Sequence, residues 1–406
     1  MRFLPTLLAF VALSGTARPA DPGASASAVA DLRRALGAGG PIDDRAFAAV
    51  PLTREDAAIA RGLLWDDHVA RLRKERAAEL EARTLAEGKL SMPFGVTTFG
   101  EKPEGGHSLW ISLHGGGNAP ARVNDGQWAN QKRLYKLDEG IYVAPRAPTN
   151  TWNLWHEPHI DRLFGRLIAD YVALEGVDPD RVYVMGYSAG GDGVYQLAPR
   201  MADSWAAAAM MAGHPNDADP LGLRNVPFAL QVGGEDAAYD RNKVAARWGE
   251  TLDDLRKADP GGYDHLVKIH AGKGHWMDRE DAAALPWMAK HRRNPTPDRV
   301  VWKQAGTTHD RSYWLAVPPG TAKPGTLVEA RRAGQSIDIA AEPGTTLLVR
   351  LDDRMLDLDQ PIAVTHRGKT IFEGRADRTI ATLRKTLAGR EDPKLMFDAE
   401  VPVKVE

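Results

Sequence analysis

The chain has 406 residues, 43% of them hydrophobic and 26% charged, with a formal net charge of −2. It is long enough for a full-sized catalytic domain and one smaller domain, and it lacks the concentrated basic surface that a nucleic-acid partner requires. The absence of cysteine excludes disulfides, a thiol nucleophile, thiolate metal sites and a lipid-bearing cysteine anchor.

The N-terminus reads as an export signal. Arg2 supplies the positive charge, residues 7–13 a short apolar run, and Ser14, Gly15, Thr16 and Ala17 a small-residue cleavage site. Residues 1–17 are therefore expected to be removed, giving a secreted or periplasmic protein. No apolar run approaches the roughly 20 residues of a transmembrane helix. Residues 18–91 are rich in alanine and in charge of both signs. Leu63, Leu64, Val69 and Leu72 recur at near-helical spacing, which predicts a helical N-terminal extension propped against the main body.

From residue 92 the pattern changes to short apolar runs alternating with amphipathic stretches. Residues 109–113, 141–144, 182–185, 206–211, 228–232 and 266–269 read as buried strands, and 160–174, 193–201 and 241–257 as helices. Such alternation predicts an α/β domain over 92–292, with a doubly wound, mostly parallel sheet covered on both faces. Asn294-Pro295-Thr296-Pro297 is a breaker cluster and reads as a linker. Beyond it, the runs at 313–317, 326–330, 336–339, 347–351, 362–365 and 370–372 are spaced by turn residues. They predict a β-rich, sandwich-like C-terminal domain over 293–406 with one helix at 379–387.

The chemistry gathers in the middle section. Gly186-Tyr187-Ser188-Ala189-Gly190 directly follows a buried strand, where a sharp strand-to-helix turn would present the Ser188 hydroxyl above the sheet edge. His114-Gly115-Gly116-Gly117 ends an earlier strand, and its glycines would let backbone N–H groups face a developing oxyanion. Gly115 and Gly116, with the N–H of Ala189, are the expected donors. The strand at 228–232 runs into Gly233-Gly234-Glu235-Asp236, which puts Asp236 at the carboxyl edge of the sheet. Asp240 is a rival that reads better as a helix N-cap, and Glu235 is a weaker one. His275 lies in a glycine-rich loop after the last strand and can swing over Ser188, whereas His265 and His270 belong to the strand and read as structural.

The order Ser188, Asp236, His275, with an oxyanion loop upstream, is that of α/β-hydrolases. Residues 92–292 resemble that superfamily. The likeness is nearest to its polyhydroxybutyrate-depolymerase-like and phospholipase/carboxylesterase-like secreted esterases, and it covers about half of the chain. It implies a serine esterase that needs no metal or organic cofactor and acts on a small-molecule or polymeric ester. Two alternatives stay open on the residues alone: a serine peptidase of prolyl-oligopeptidase-like type, and a polymer-binding protein whose hydrolase core is vestigial. A carbohydrate or polymer contact is expected of the C-terminal domain.

Other features are weighed in the same way. Trp152, Trp155, His156 and Trp276 are expected to line the substrate pocket. His156 and His159 are three apart with Pro158 between them, which fails the zinc spacing of four on a helix. Asp352, Asp353, Asp357 and Asp359 read as a solvated turn rather than a calcium loop. His214 follows a strand and can approach the site, with a structural role as its default.

Overall fold

The computed structural model describes residues 20–39, 42 and 45–406, so the expected export signal lies outside the described residues. Helix α1 (Pro22–Gly37) is capped by the Asp21 carboxylate and has Pro22 at its first position. The long helix α2 (Arg54–Ala82) starts at Thr53, whose hydroxyl accepts the Asp56 N–H, and carries Glu55 and Asp56 in its positive first turn. Among the described residues, no helix is long and apolar enough to cross a membrane.

An eight-stranded sheet follows. Strands β1 (Thr84–Glu87) and β2 (Leu90–Phe99) form a hairpin at one edge, and β2 runs antiparallel to its next neighbour. Then come β3 (His107–Leu113), α3 (Ala121–Gln131), β4 (Gly140–Pro145), α4 (Pro158–Leu174), β5 (Val177–Tyr187) and α5 (Ala189–Arg200). Strand β6 (Ala207–Met211), β7 (Phe228–Gly233), α6 (Arg241–Ala258), β8 (His265–His270) and the short α7 (Ala284–Met288) complete this part. The spatial order is β1-β2-β4-β3-β5-β6-β7-β8, and every pairing from β4 onward is parallel. This is the mostly parallel α/β sheet that the sequence predicts. It forms because β3 to β7 are almost wholly buried apolar runs, a pattern that suits only a sheet covered on both faces. The sheet begins at Thr84, earlier than the expected boundary at 92, because the partly polar hairpin edge carries little hydrophobic signal.

The C-terminal part contains β9 (Arg299–Lys303), β10 (Arg311–Ser312), β11 (Leu315–Ala316), β12 (Leu327–Ala333), β13 (Ser336–Ala340) and β14 (Thr346–Leu351). It ends with β15 (Ile362–His366), β16 (Lys369–Gly374), α8 (Ile380–Arg390) and β17 (Ala399–Lys404). These strands make a four-stranded sheet, β10-β11-β14-β17, and a five-stranded one, β16-β15-β13-β12-β9. Val328 and Ile337 of one sheet and Val349 and Val401 of the other join the same buried cluster as the core of the eight-stranded sheet.

Three expectations change here. The segment 294–297 is no free linker: Pro297 is buried and its carbonyl accepts the Trp314 indole N–H at 2.8 Å. The acidic cluster is no solvated turn. Asp353 takes a two-pronged bond from the buried Arg378, which also reaches Asp359 at 2.8 Å, while Arg54 of α2 bonds Asp357 at 2.9 Å and Asp352 pairs with Arg354. The N-terminal helices pack on the C-terminal part as well as on the sheet: Leu32, Leu64, Ile380 and Leu383 share one buried cluster.

Arg293 ties these parts together. Its buried guanidinium bonds Asp180 at 2.8 Å, the Asp203 carbonyl at 2.8 Å and the buried Asp392 at 2.7 Å. Burial opposes ionisation of Asp392, yet the Arg293 charge wins and holds its pKa below the ordinary carboxylate range. Since folding lowers that pKa, this contribution to stability is present above the ordinary carboxylate range and is lost as pH falls through the folded value. Arg293→Met strands a buried carboxylate and should cost about 3–5 kcal/mol in urea unfolding, part of it recovered in Arg293→Met/Asp392→Asn. Equal stability of wild type and single variant would show that the bridge holds nothing together.

Candidate active site

Strand β5 delivers Gly186 and Tyr187 to the sheet edge, and helix α5 begins at Ala189. Between them Ser188 has φ 58° and ψ −121°, a conformation costly for any side chain with a β-carbon. The flanking glycines follow from close approach. A β-carbon on Gly186 would lie 2.3 Å from the Gly190 carbonyl oxygen, and one on Gly190 would lie 2.2 Å from that of Leu113. The Ser188 N–H is engaged, donating to Met211 O at 2.8 Å. The N–H of Ala189, at the first position of α5, has no intrahelical acceptor, as at any helix start.

The loops after β7 and β8 are stitched together by backbone bonds. Gly234 N–H donates to His270 O and Glu235 N–H to Lys273 O, each at 2.8 Å, and a β-carbon on Gly233 would meet Gly274 O at 2.0 Å. This brings the buried Asp236 carboxylate to His275, which donates its Nδ1–H to Oδ2 at 2.7 Å. His275 Nε2 lies 3.0 Å from the Ser188 hydroxyl, the distance at which it accepts that proton. Glu235 and Asp240 both lie exposed. Asp240 does not cap α6: its backbone is left-handed, its side chain makes no cap bond, and it pairs instead with Lys243 at 3.1 Å. His270 is held between Gln231 at 2.8 Å and Glu280 at 3.2 Å, and His265 between Tyr263 O and Asp253.

The glycine loop after β3 lies against the serine. A β-carbon on Gly115 would sit 3.1 Å from Ser188 Cβ, and Gly116 (φ 112°) and Gly117 (φ 83°) adopt backbones that favour glycine. His114 anchors this loop. It is buried, which lowers its pKa to about 4. The neutral ring donates from Nδ1 to Gly115 O at 2.6 Å and accepts the Ala147 N–H on Nε2 at 3.1 Å. Asn124 of α3 takes the Gly117 N–H on Oδ1 at 2.8 Å.

Ser188 stands between two cavities. The larger, about 820 Å³, is lined by Gly115, Gly116, Gln127, Tyr187, His275 and Trp276 among others, and includes Arg133 and Arg279. The smaller, about 320 Å³, holds Trp152, Ala189, Asp192, His214, Tyr239 and Arg241. Trp276 and Trp152 thus flank the serine on opposite sides, 51% and 59% exposed. The other two expected pocket residues do not reach either cavity. Trp155 is fully buried, donating its indole N–H to His114 O at 2.8 Å, so it supports the glycine loop from behind. His156 is packed beneath Trp152 with ring centroids 5.5 Å apart, and burial lowers its pKa to about 4. His214, at a position that can approach the site, lies on the smaller cavity and donates its backbone N–H to Asp192 at 2.6 Å.

Sequence reasoning missed Tyr187. Its hydroxyl donates to His275 O at 2.6 Å and accepts the Met277 N–H at 3.2 Å, so it holds the histidine loop from both sides of Trp276. Its place in the pentapeptide was the available signal, but nothing local says where its hydroxyl points.

No protein-family model matches the chain, and no curated protein does. Solved structures do resemble it. A thermostable esterase is similar at 16% identity and TM-score 0.39, covering 52% of this chain and 62% of that one. A ferulic acid esterase is similar at 18% identity and TM-score 0.36, covering 51% of this chain and 96% of that one. A poly(3-hydroxybutyrate) depolymerase from Bordetella parapertussis is similar at 16% identity and TM-score 0.40, covering 56% of this chain and 96% of that one. The chain thus spans less than two thirds of the first of these proteins.

Proposed function

We propose that the chain is an exported serine hydrolase of carboxylic esters, with Ser188 as nucleophile, His275 as general base and acid, and Asp236 as the group that orients the imidazole. One observation carries this reading: His275 bridges Asp236 at 2.7 Å and Ser188 at 3.0 Å, beside two cavities large enough for the two halves of an ester. Nε2 takes the Ser188 proton as the hydroxyl attacks the carbonyl carbon, and the buried Asp236 charge stabilises the resulting imidazolium. The N–H groups of Ala189 and of Gly115 or Gly116 receive the oxyanion. His275 then returns the proton to the leaving alcohol, and a water molecule repeats the attack on the acyl-enzyme. Labelling by a fluorophosphonate probe, followed by turnover of p-nitrophenyl esters against dipeptide anilides, tests the class. Anilide cleavage without ester cleavage would replace esterase by peptidase.

The larger cavity also favours one charge. Among the described residues its wall contains the guanidinium groups of Arg133 and Arg279 and no carboxylate. The acids beside Arg279 in sequence are already occupied, since Asp278 and Glu280 each pair with Lys273 at 2.9 Å, and Arg279 itself has a left-handed backbone (φ 66°). Esters carrying a carboxylate on that side should be preferred over neutral ones. In Arg133→Gln/Arg279→Gln, kcat/KM for a hemisuccinate ester should fall about five- to tenfold while that for a neutral butyrate ester holds. An unchanged ratio between the two substrates would remove these arginines from substrate selection.

A further inference from the structure

Another cavity, about 730 Å³, lies apart from Ser188, where α2, α4, β10 and the end of α8 converge. Its wall holds five guanidinium groups, Arg76, Arg162, Arg166, Arg311 and Arg390, against three carboxylates, Asp161, Asp310 and Glu391. Four of the arginines have counter-charges. Arg76 makes a two-pronged bond to Glu391 at 2.8 Å, Arg162 bonds Glu87 at 2.5 Å, Arg166 pairs with Glu79, and Arg390 reaches Asp203 at 3.1 Å. Asp161 is saturated by Arg200 and by His309 at 2.6 Å.

Arg311 differs. Among the described residues it makes no ion pair or hydrogen bond through its guanidinium, and its buried Nε has no partner. Burial, and next the neighbouring Arg390, lower its pKa to about 10 against the opposing charges of Asp203 and Asp310. Asp203 and Asp310 lie near it, but Asp203 is engaged by Arg390 and Asp310 accepts the Gly320 N–H at 3.2 Å. A guanidinium held beside another without a direct ion pair is an unfavourable arrangement unless something anionic completes it. The planar fork of arginine suits the oxygens of a doubly charged oxyanion. The carbonyl end of α8 would oppose an anion, but Arg390 in its last turn offsets that partial charge.

We propose that this cavity binds a doubly charged oxyanion of the phosphate type through Arg311, assisted by Arg390. The anion would lie among α2, α4 of the hydrolase sheet and β10 and α8 of the C-terminal part, and so clamp these regions together. The site is independent of the chemistry at Ser188.

Thermal unfolding of the full chain in inorganic phosphate, against sodium chloride of equal ionic strength, reads the site directly. The wild type should gain about 2–4 °C in Tm from saturating phosphate beyond the chloride control. Arg311→Met should unfold at or above the wild-type Tm without phosphate, because it removes a charge that has no direct ion pair, and should lose the phosphate-specific gain. Should Arg311→Met fail to fold, Arg311→Lys decides: it keeps the charge but loses the fork, and its half-saturating phosphate concentration should rise about tenfold. The proposal is overturned by a wild type that gains nothing beyond the chloride control. It is equally overturned by an Arg311→Met protein with the full gain or, if that variant does not fold, by an unshifted midpoint in Arg311→Lys.

Discussion

Ser188→Ala is expected to lower ester turnover by about 10⁴-fold or more while leaving the circular dichroism spectrum and unfolding midpoint close to wild type. The size follows from losing the covalent route altogether, since no other hydroxyl lies within bonding distance of His275 Nε2 among the described residues. Stability should barely change, because among the described residues Ser188 Oγ makes a bond only to the half-exposed His275, and the backbone N–H bond to Met211 O survives the substitution. Alanine also keeps the same β-carbon at the strained φ of 58°, so that strain is neither relieved nor increased. A variant turning over short esters at a rate near wild type would place the nucleophile elsewhere.

Asp236→Asn is the second large effect. The carboxylate accepts the His275 Nδ1 proton at 2.7 Å and thereby leaves Nε2 free to take a proton from Ser188. An asparagine can turn its NH2 toward Nδ1, which moves the imidazole proton to Nε2 and blocks the transfer. The loss should reach about 10⁴-fold in kcat near neutral pH, with KM changing far less. Asp240→Asn supplies the contrast. Asp240 is exposed, its pair with Lys243 lies in solvent, and asparagine tolerates its left-handed backbone well, so kcat and Tm should stay near wild type. Reversal of the two phenotypes would move the acid to Asp240 and contradict the bonding seen at Asp236.

Where each group acts through continuous chain, the sequence was readable. Strands β3 to β7 each carry a buried, mostly apolar run, and the glycines around Ser188 and after His114 mark turns that only glycine can make at such close approach. Helix α3 carries Asn124, which shapes the glycine loop, yet it was not legible: its segment has no apolar stripe, and only Asn124 and Gln131 are buried in it. Trp155 was misassigned for a related reason. A tryptophan on a loop near a sheet edge can face the pocket or turn inward, and what decides is the His114 carbonyl, 41 residues away in sequence. The acidic cluster was misread because two of the arginines that neutralise it, Arg54 and Arg378, lie 303 and 25 residues from their partners. Local pattern fixes periodicity and turns, whereas polar partners and inward or outward aromatic rotamers are set by the tertiary assembly.

The most direct measurement of the central claim is peptide mapping by mass spectrometry after reaction with a fluorophosphonate. The account predicts one adduct, on the peptide carrying Gly186 to Gly191 and localised to Ser188, formed at a rate that collapses in His275→Ala. An adduct on another serine, or labelling of Ser188 at an undiminished rate without His275, would contradict it.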